Sequence, residues 1–298
     1  MDLTVGPNPF FWDTPLWQAF HDGLADIPVA RVVLGELVCS KRLPFYQDAI
    51  PGAVERLLAA GKEVAVTSLA LVTLKRERKL TADLADMDVP VEVNDLTALA
   101  HIPAGRPFWV GPLVNVYNEG TLGWLARRGA QRVCLPPELP LASVARLAAE
   151  GARLGVAIEV WGHGRVPLAI SGRCYHARLH DRAKDNCQFV CGEDPDGREV
   201  DTLDGRPFLA VNGVQTLSAS CASMARQVEA LRDAGVAALR LSPQTGDFAR
   251  LTRLYADRLA GRIDGDALAA ALLPDTPGGR LSDGFLTGAA GAAWSGAA

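Results

Sequence analysis

Apolar positions along the chain follow a repeating beat. A short apolar run comes first, then a stretch with apolar residues three and four apart. The short runs are Leu3–Gly6, Arg31–Val38, Glu63–Leu71, Val89–Val93, Phe108–Val116, Arg132–Leu135, Ala157–Trp161 and Ala237–Leu241. They are near-continuous rather than alternating, the pattern of a parallel sheet covered on both faces. Between them, Gly52–Ala60 (GAVERLLAA), Thr121–Arg128 and Leu141–Gly155 (LASVARLAAEGARLG) read as amphipathic helices. Gly61, Gly129, Gly155 and Gly235 each stand just before the next strand, where a left-handed residue ends a helix. Strand starts fall about 20 to 32 residues apart, which suits βα units with right-handed crossovers. Eight such strands predict a TIM-barrel-like (β/α)8 fold over residues 1–298. A doubly wound open sheet is the alternative.

One interval breaks the beat. The 75 residues of 162–236 separate the seventh run from the eighth, about three times the usual connection. Insertions of that length in a compact domain are usually functional. This one carries a charged stretch at Arg178–Asp185 and a predicted hairpin, in which Gly205-Arg206 turns between Glu199–Leu203 and Phe208–Val211. A predicted helix, SASCASMARQVEALRDAG, opens around Cys221. The tail, 275–298, is rich in Gly and Ala and reads either as a flexible end or as a segment pinned by Phe285 and Trp294.

Composition narrows the function classes. Hydrophobic residues make up 49% of the 298, enough for a large core. No apolar run approaches the roughly 20 residues of a membrane-spanning helix. The N-terminus, Met-Asp-Leu-Thr-Val, has neither the basic start nor the apolar stretch of a secretion signal, so a reducing cytoplasmic setting is expected. Thirty basic against 34 acidic residues, a net charge of −4, argue against a dedicated nucleic-acid binder. Lys75–Lys79 (KRERK) reads as the solvated start of a helix.

Against that background the six cysteines stand out: Cys39, Cys134, Cys174, Cys187, Cys191 and Cys221. In a reducing compartment, clustered cysteines point to metal or redox chemistry rather than to disulfides. Three of them are spaced C-x12-C-x3-C. Cys39 follows the second predicted strand and Cys174 the seventh, so in a barrel both segments emerge on the face where such folds keep their chemistry. Basic residues gather around these thiols in an acidic chain: Lys41, Arg42, Arg173, Arg178, Arg182 and Lys184. A four-iron cluster on four thiolates carries a net negative charge that such cations offset. A zinc site of four cysteines is the rival, although it favours two close C-x2–4-C pairs, and only Cys187–Cys191 is close here. Cys134 lies inside an apolar strand and suits a core role. The residues alone leave Cys221 open as a ligand or an exchanging thiol.

The segments Gly35–Arg42 (GELVCSKR), Leu168–Arg178 (LAISGRCYHAR), Lys184–Cys191 (KDNCQFVC), Asn212–Ser218 (NGVQTLS) and Asp283–Gly291 (DGFLTGAAG) resemble the collagenase-like peptidase family over nearly the whole chain. The resemblance implies a 4Fe-4S cluster held by Cys39, Cys174, Cys187 and Cys191, and it leaves Cys134 and Cys221 out. It also implies a heterodimer with a sister iron–sulfur protein, UbiU. The pair's implied task is oxygen-independent hydroxylation of the ubiquinone ring, with prephenate as the oxygen donor. A non-catalytic partner with a structural cluster, or a component of RNA hydroxylation as in related members, are the alternatives. Peptidase chemistry is not expected, because the chain has neither H-E-x-x-H nor G-x-S-x-G.

A cluster bound by four cysteines has no open coordination position, so electron transfer or structural support is its expected role. The two carboxylates of prephenate call for arginine. Arg42, Arg173 and Arg178 are the substrate-binding candidates because they flank the cysteines, with balance of cluster charge as their simpler role. Asn94, Asn115, Glu159 and His163 are expected near strand ends at the same mouth.

Overall fold

The computed structural model describes residues 1–296. Its frame is a ring of eight parallel strands. Seven come in order: β1 (Asp2–Val5), β2 (Arg31–Leu34), β3 (Glu63–Thr67), β4 (Val91–Val93), β5 (Phe108–Val110), β6 (Ala130–Cys134) and β7 (Ala157–Ile170). Three insertion strands follow, β8 (Arg198–Asp201), β9 (Pro207–Asn212) and β10 (Gln215–Ser223), and then the closing strand β11 (Ala238–Leu241). β11 pairs in parallel with both β1 (Leu3 opposite Leu239) and β7 (Val160 opposite Leu239), which shuts the barrel. All eight predicted strands are therefore present, and the barrel rather than the open sheet is the architecture.

The helices sit where the periodicity predicts, within two residues or so at each end: Ile50–Ala59, Glu119–Ala126 and Leu141–Leu154. In the last of these, Val144, Leu147, Ala148 and Gly151 form the buried stripe at i, i+3, i+4 and i+7. Burying one such leucine contributes about 1.5–3 kcal/mol. Gly155 ends that helix at φ +71, and Gly61, Gly129 and Gly235 take positive φ as well. Among the described residues, no helix is long and apolar enough to cross a membrane.

Two expectations about the insertion are corrected. The seventh strand does not stop at Trp161 but runs to Ile170, leaving the barrel to pair antiparallel with β10. Gly162 and Gly164 permit this, because a Cβ at either would stand 2.8 Å or less from a β11-side atom (Leu239 Cβ, Ser242 Cβ). Cys221 opens no helix: it lies in β10, opposite Arg165 of β7, and the helix begins only at Val228. The predicted hairpin is present as β8 and β9, with Gly205 at φ +77 in its turn. The barrel thus carries a side sheet in the order β7-β10-β9-β8.

The tail returns to that sheet. A two-residue strand, β12 (Leu281–Ser282), pairs in parallel with β10, and Phe285 and Trp294 pack on the main core. Asp283 accepts hydrogen bonds from Gln227 Nε2 (2.7 Å) and the Ser295 amide (2.9 Å). The final two residues of the 275–298 segment lie outside the described residues.

Candidate metal centre

The cysteine loops begin where β2 leaves the barrel. Glu36, buried, accepts from the amides of Val38 (2.7 Å) and Cys39 (2.8 Å) with one oxygen and from the Tyr46 hydroxyl with the other. One carboxylate therefore folds the turn that presents Cys39. Ser40 donates to Glu77 (2.8 Å), the buried middle of the otherwise exposed Lys75–Lys79 run. Lys41 donates to the carbonyls of Lys184 (2.8 Å) and Asp185 (3.2 Å), tying the Cys39 turn to the segment before Cys187.

Cys174 is reached by the extension of β7. It caps the short helix Tyr175–Leu179, and its sulfur accepts from the Ala177 amide at 3.4 Å. Leu37, Val38, Cys174, Ala177 and Val214 form a small apolar cluster of their own, with Cys39 and Cys187 packed against it. Between Cys187 and Cys191 the chain takes left-handed φ at Gln188 (+48) and Phe189 (+56), an uncommon conformation for residues other than glycine. That turn places the Phe189 ring against Phe11 and Phe45, with centroids 5.6 and 4.7 Å away.

The result is a single small cavity lined by Cys39, Cys174, Cys187 and Cys191 together with Lys41 and Arg42. Cys134 and Cys221 are elsewhere, each fully buried in the barrel and the main core, where burial pushes their thiols up, that of Cys221 to about 12. At the cavity, burial also raises the Cys39, Cys174 and Cys191 thiols, and Arg42 opposes the rise at all three. A bound metal would have to displace those protons. Among the described residues, no three cysteine sulfurs lie within 4.8 Å of one another. A tetrahedral zinc with Zn–S near 2.3 Å would need its sulfurs about 3.8 Å apart. Four thiols and a buried arginine on one small cavity are a donor set that a thiolate-bound metal centre could use.

Of the three arginine candidates, only Arg42 reaches the cavity. Its side chain is buried, donating to Asn212 Oδ1 (2.5 Å) and the Pro9 carbonyl (3.2 Å), with Nε unpartnered. Burial works against its charge, but Cys191, Glu36 and Cys39 hold its pKa above the ordinary arginine value. Gly213 makes room for it: φ is +67 there, and a Cβ would come within 2.4 Å of Arg42 Nη2. Asn212 also donates to the carbonyls of Cys191 (3.0 Å) and Asp194 (2.9 Å), so one side chain links the arginine to the second cysteine loop. Arg173 and Arg178 are exposed on the surface beside Cys174.

The polar strand-end candidates divide. Asn115 is exposed, at φ +61. His163 is buried against Gln244 (3.2 Å), and burial lowers its pKa to about 4, which leaves it neutral. Glu159 and Asn94 belong to the barrel interior rather than to an open mouth. There Arg240 donates from Nε to Glu159 (2.6 Å) and from both Nη atoms to Glu92 (2.9 and 2.5 Å). Thr4 completes Glu159, and Asn94 bridges Glu92 and Thr67. The small space at the mouth is lined by Leu37, Leu113, Trp161 and Leu217 with Glu92 and Arg240. A much larger apolar cavity of about 1,010 Å³ lies between the side sheet and the tail, lined by Leu168, Phe208, Leu281 and Trp294 among others.

Glu36, Asn212 and the Phe11–Phe45–Phe189 ring cluster escape a reading of the sequence alone. Only the placement of Glu36 within GELVCSKR and Asn212 within NGVQTLS hinted at them. Compared with known proteins, the chain matches a family model described as Peptidase family U32 over residues 17–295. Among solved structures it is similar to D-psicose 3-epimerase with D-tagatose from Clostridium cellulolyticum H10, at 12% identity. That match covers 92% of this chain and 98% of the other, with a TM-score of 0.32.

Proposed function

The chain belongs to peptidase family U32, the collagenase-like peptidase family, and from that premise we propose that it is a 4Fe-4S protein of the UbiV type. In this reading Cys39, Cys174, Cys187 and Cys191 hold the cluster, and the chain works with UbiU in oxygen-independent hydroxylation of the ubiquinone ring, prephenate supplying the oxygen. One observation carries the reading: four of six cysteines, drawn from three separate segments, line one small cavity beside a buried arginine.

When bound, the cluster supplies one-electron chemistry. The residues of the chain do the rest. Arg42, locked by Asn212 and Pro9, balances negative charge at the sulfurs. Phe189 lines the cavity and packs on Phe11 and Phe45. The Ala177 amide donates to Cys174 sulfur, which favours the thiolate. The apolar cavity beside the tail offers room for a hydrophobic ring precursor.

A second reading, a partner subunit whose cluster is structural, draws on the same geometry. Arg42 is already spent on protein acceptors, and the barrel mouth holds little space beside Glu92 and Arg240. Reconstitution of the heterodimer with prephenate and a ubiquinone precursor separates the two, each subunit being made cluster-free in turn by Cys→Ala changes. Loss of hydroxylation without this chain's cluster, at unchanged heterodimer affinity, supports the catalytic reading. Loss of hydroxylation together with loss of heterodimer affinity supports the structural one, full activity without the cluster removes both roles, and no activity with both clusters intact overturns the assignment to this pathway.

A further inference from the structure

A second set of donors converges just beyond the cysteines. His176 and His180 are spaced H-x3-H across the helix Tyr175–Leu179, so both rings fall on one side, with centroids 5.4 Å apart and planes 7° from parallel. Asp194, three residues past Cys191, brings Oδ2 to 3.1 Å from His176 Nε2. One ligand atom from each of the three lies within 4.8 Å of the others. His176 is wholly buried. His176 Nε2, His180 Nε2 and Asp194 Oδ2 are all shielded from solvent, and none has a hydrogen-bond partner, the 3.1 Å approach included. Three desolvated polar atoms gathered in one place without partners are costly unless something sits among them. The other nitrogen of His176, Nδ1, stands 3.2 Å from the Val211 carbonyl. Donation there leaves Nε2 as the bare lone pair, the arrangement by which a backbone carbonyl orients a metal-binding imidazole.

We propose that His176, His180 and Asp194 bind one zinc ion, separate from whatever the four cysteines hold. Two imidazoles and a carboxylate, with a fourth position left for water, suit zinc, whereas magnesium and calcium ask for oxygen ligands. Donors about 2.0–2.1 Å from a tetrahedral zinc lie roughly 3.4 Å from one another, close to the approach of His176 and Asp194. The ion ties the helix after Cys174 to the loop after Cys191, the loop that Asn212 already grips through Cys191 and Asp194. The site does not rest on the iron–sulfur reading.

The test is metal content and zinc K-edge absorption of the anaerobically purified full chain, iron being counted on the same sample. The expected result is one zinc per chain surrounded by nitrogen and oxygen at about 2.0–2.1 Å, with no sulfur shell near 2.3 Å. His180→Gln and Asp194→Asn, the less buried pair, should each weaken zinc binding by more than the roughly 10–100-fold that loss of an outer-shell partner costs, with iron unchanged. Zinc present and iron absent would uphold this site while removing the cluster. A protein that takes up no added zinc, a zinc with sulfur neighbours, or variants that bind zinc like the parent would each overturn it.

Discussion

Two places in this molecule gather polar side chains from distant strands, and they are finished differently. Inside the barrel, Arg240 donates to Glu92 and Glu159, Thr4 donates to Glu159, and Asn94 donates to Glu92 and Thr67. On the cysteine face, four cysteines line one cavity, and the Ala177 amide donates to the sulfur of Cys174. A buried network whose members satisfy one another has nothing left for a ligand; its work is to hold the strands. Donors brought together at the cost of burial and left unanswered point outward, to a group that completes them.

The sharpest way to break that contrast is to remove one donor from each place. Cys174→Ala should abolish nearly all bound iron, and Cys39→Ala, Cys187→Ala and Cys191→Ala should match it. Cys134→Ala and Cys221→Ala should keep their iron and lose only packing, about 1–2 kcal/mol in chemical unfolding. Iron retained by Cys174→Ala, or lost from Cys134→Ala, would erase the distinction.

Next in size is Arg240→Met. It leaves two buried glutamates without their cation and should destabilise the fold by about 3–5 kcal/mol. Urea unfolding measures this, and a change below about 1 kcal/mol would show that the network is not what holds the barrel. Gly213→Ala comes third. A Cβ there collides with Arg42 in a left-handed backbone, so a loss of about 1–3 kcal/mol is expected, together with weaker iron retention.

The smallest effect concerns Glu77, which braces the Cys39 turn. Burial raises its pKa, but the amides of Thr73 and Leu74 and the hydroxyls of Ser40 and Thr73 outweigh burial and hold it below the ordinary value. A depressed carboxylate contributes stability that is present above its unfolded pKa and lost as pH falls through the folded one. Glu77→Gln should therefore cost about 1 kcal/mol at neutral pH and flatten the acid limb of the stability profile. Unfolding midpoints measured from about pH 3 to about pH 7 would show parallel curves if the brace were absent.

Much of the frame could be read from the residues, and the reason is physical. Near-continuous apolar runs, and a glycine before four of the eight barrel strands, mark βα units regardless of what the loops do. The extension of β7 was hidden because Gly162, His163, Gly164, Arg165 and Pro167 look like breakers; they continue the strand only because glycine lets β11 approach and β10 supplies partners. Cys221 sits in a run of small residues that carries neither period, so the amphipathic pattern from Val228 pulled the predicted helix too far upstream. That the Cys39 and Cys174 segments share a face was legible from topology, because strand ends lie on one side of a barrel; the choice of four cysteines out of six came only from the family resemblance. Arg240 and Glu92 were not legible, since a lone charge in a strand says nothing of its partner across the barrel. Arg173 and Arg178 flank a cysteine in sequence yet face solvent, which neighbouring positions along a chain cannot reveal.

The central claim is that the cysteine face is completed by a four-iron cluster. Its most direct test is the count of iron and acid-labile sulfide in the full chain purified without oxygen. About four of each per chain, lost together in the four cysteine variants, is the predicted result. A colourless protein with neither iron nor sulfide, or with a single zinc on the thiolates, would contradict it.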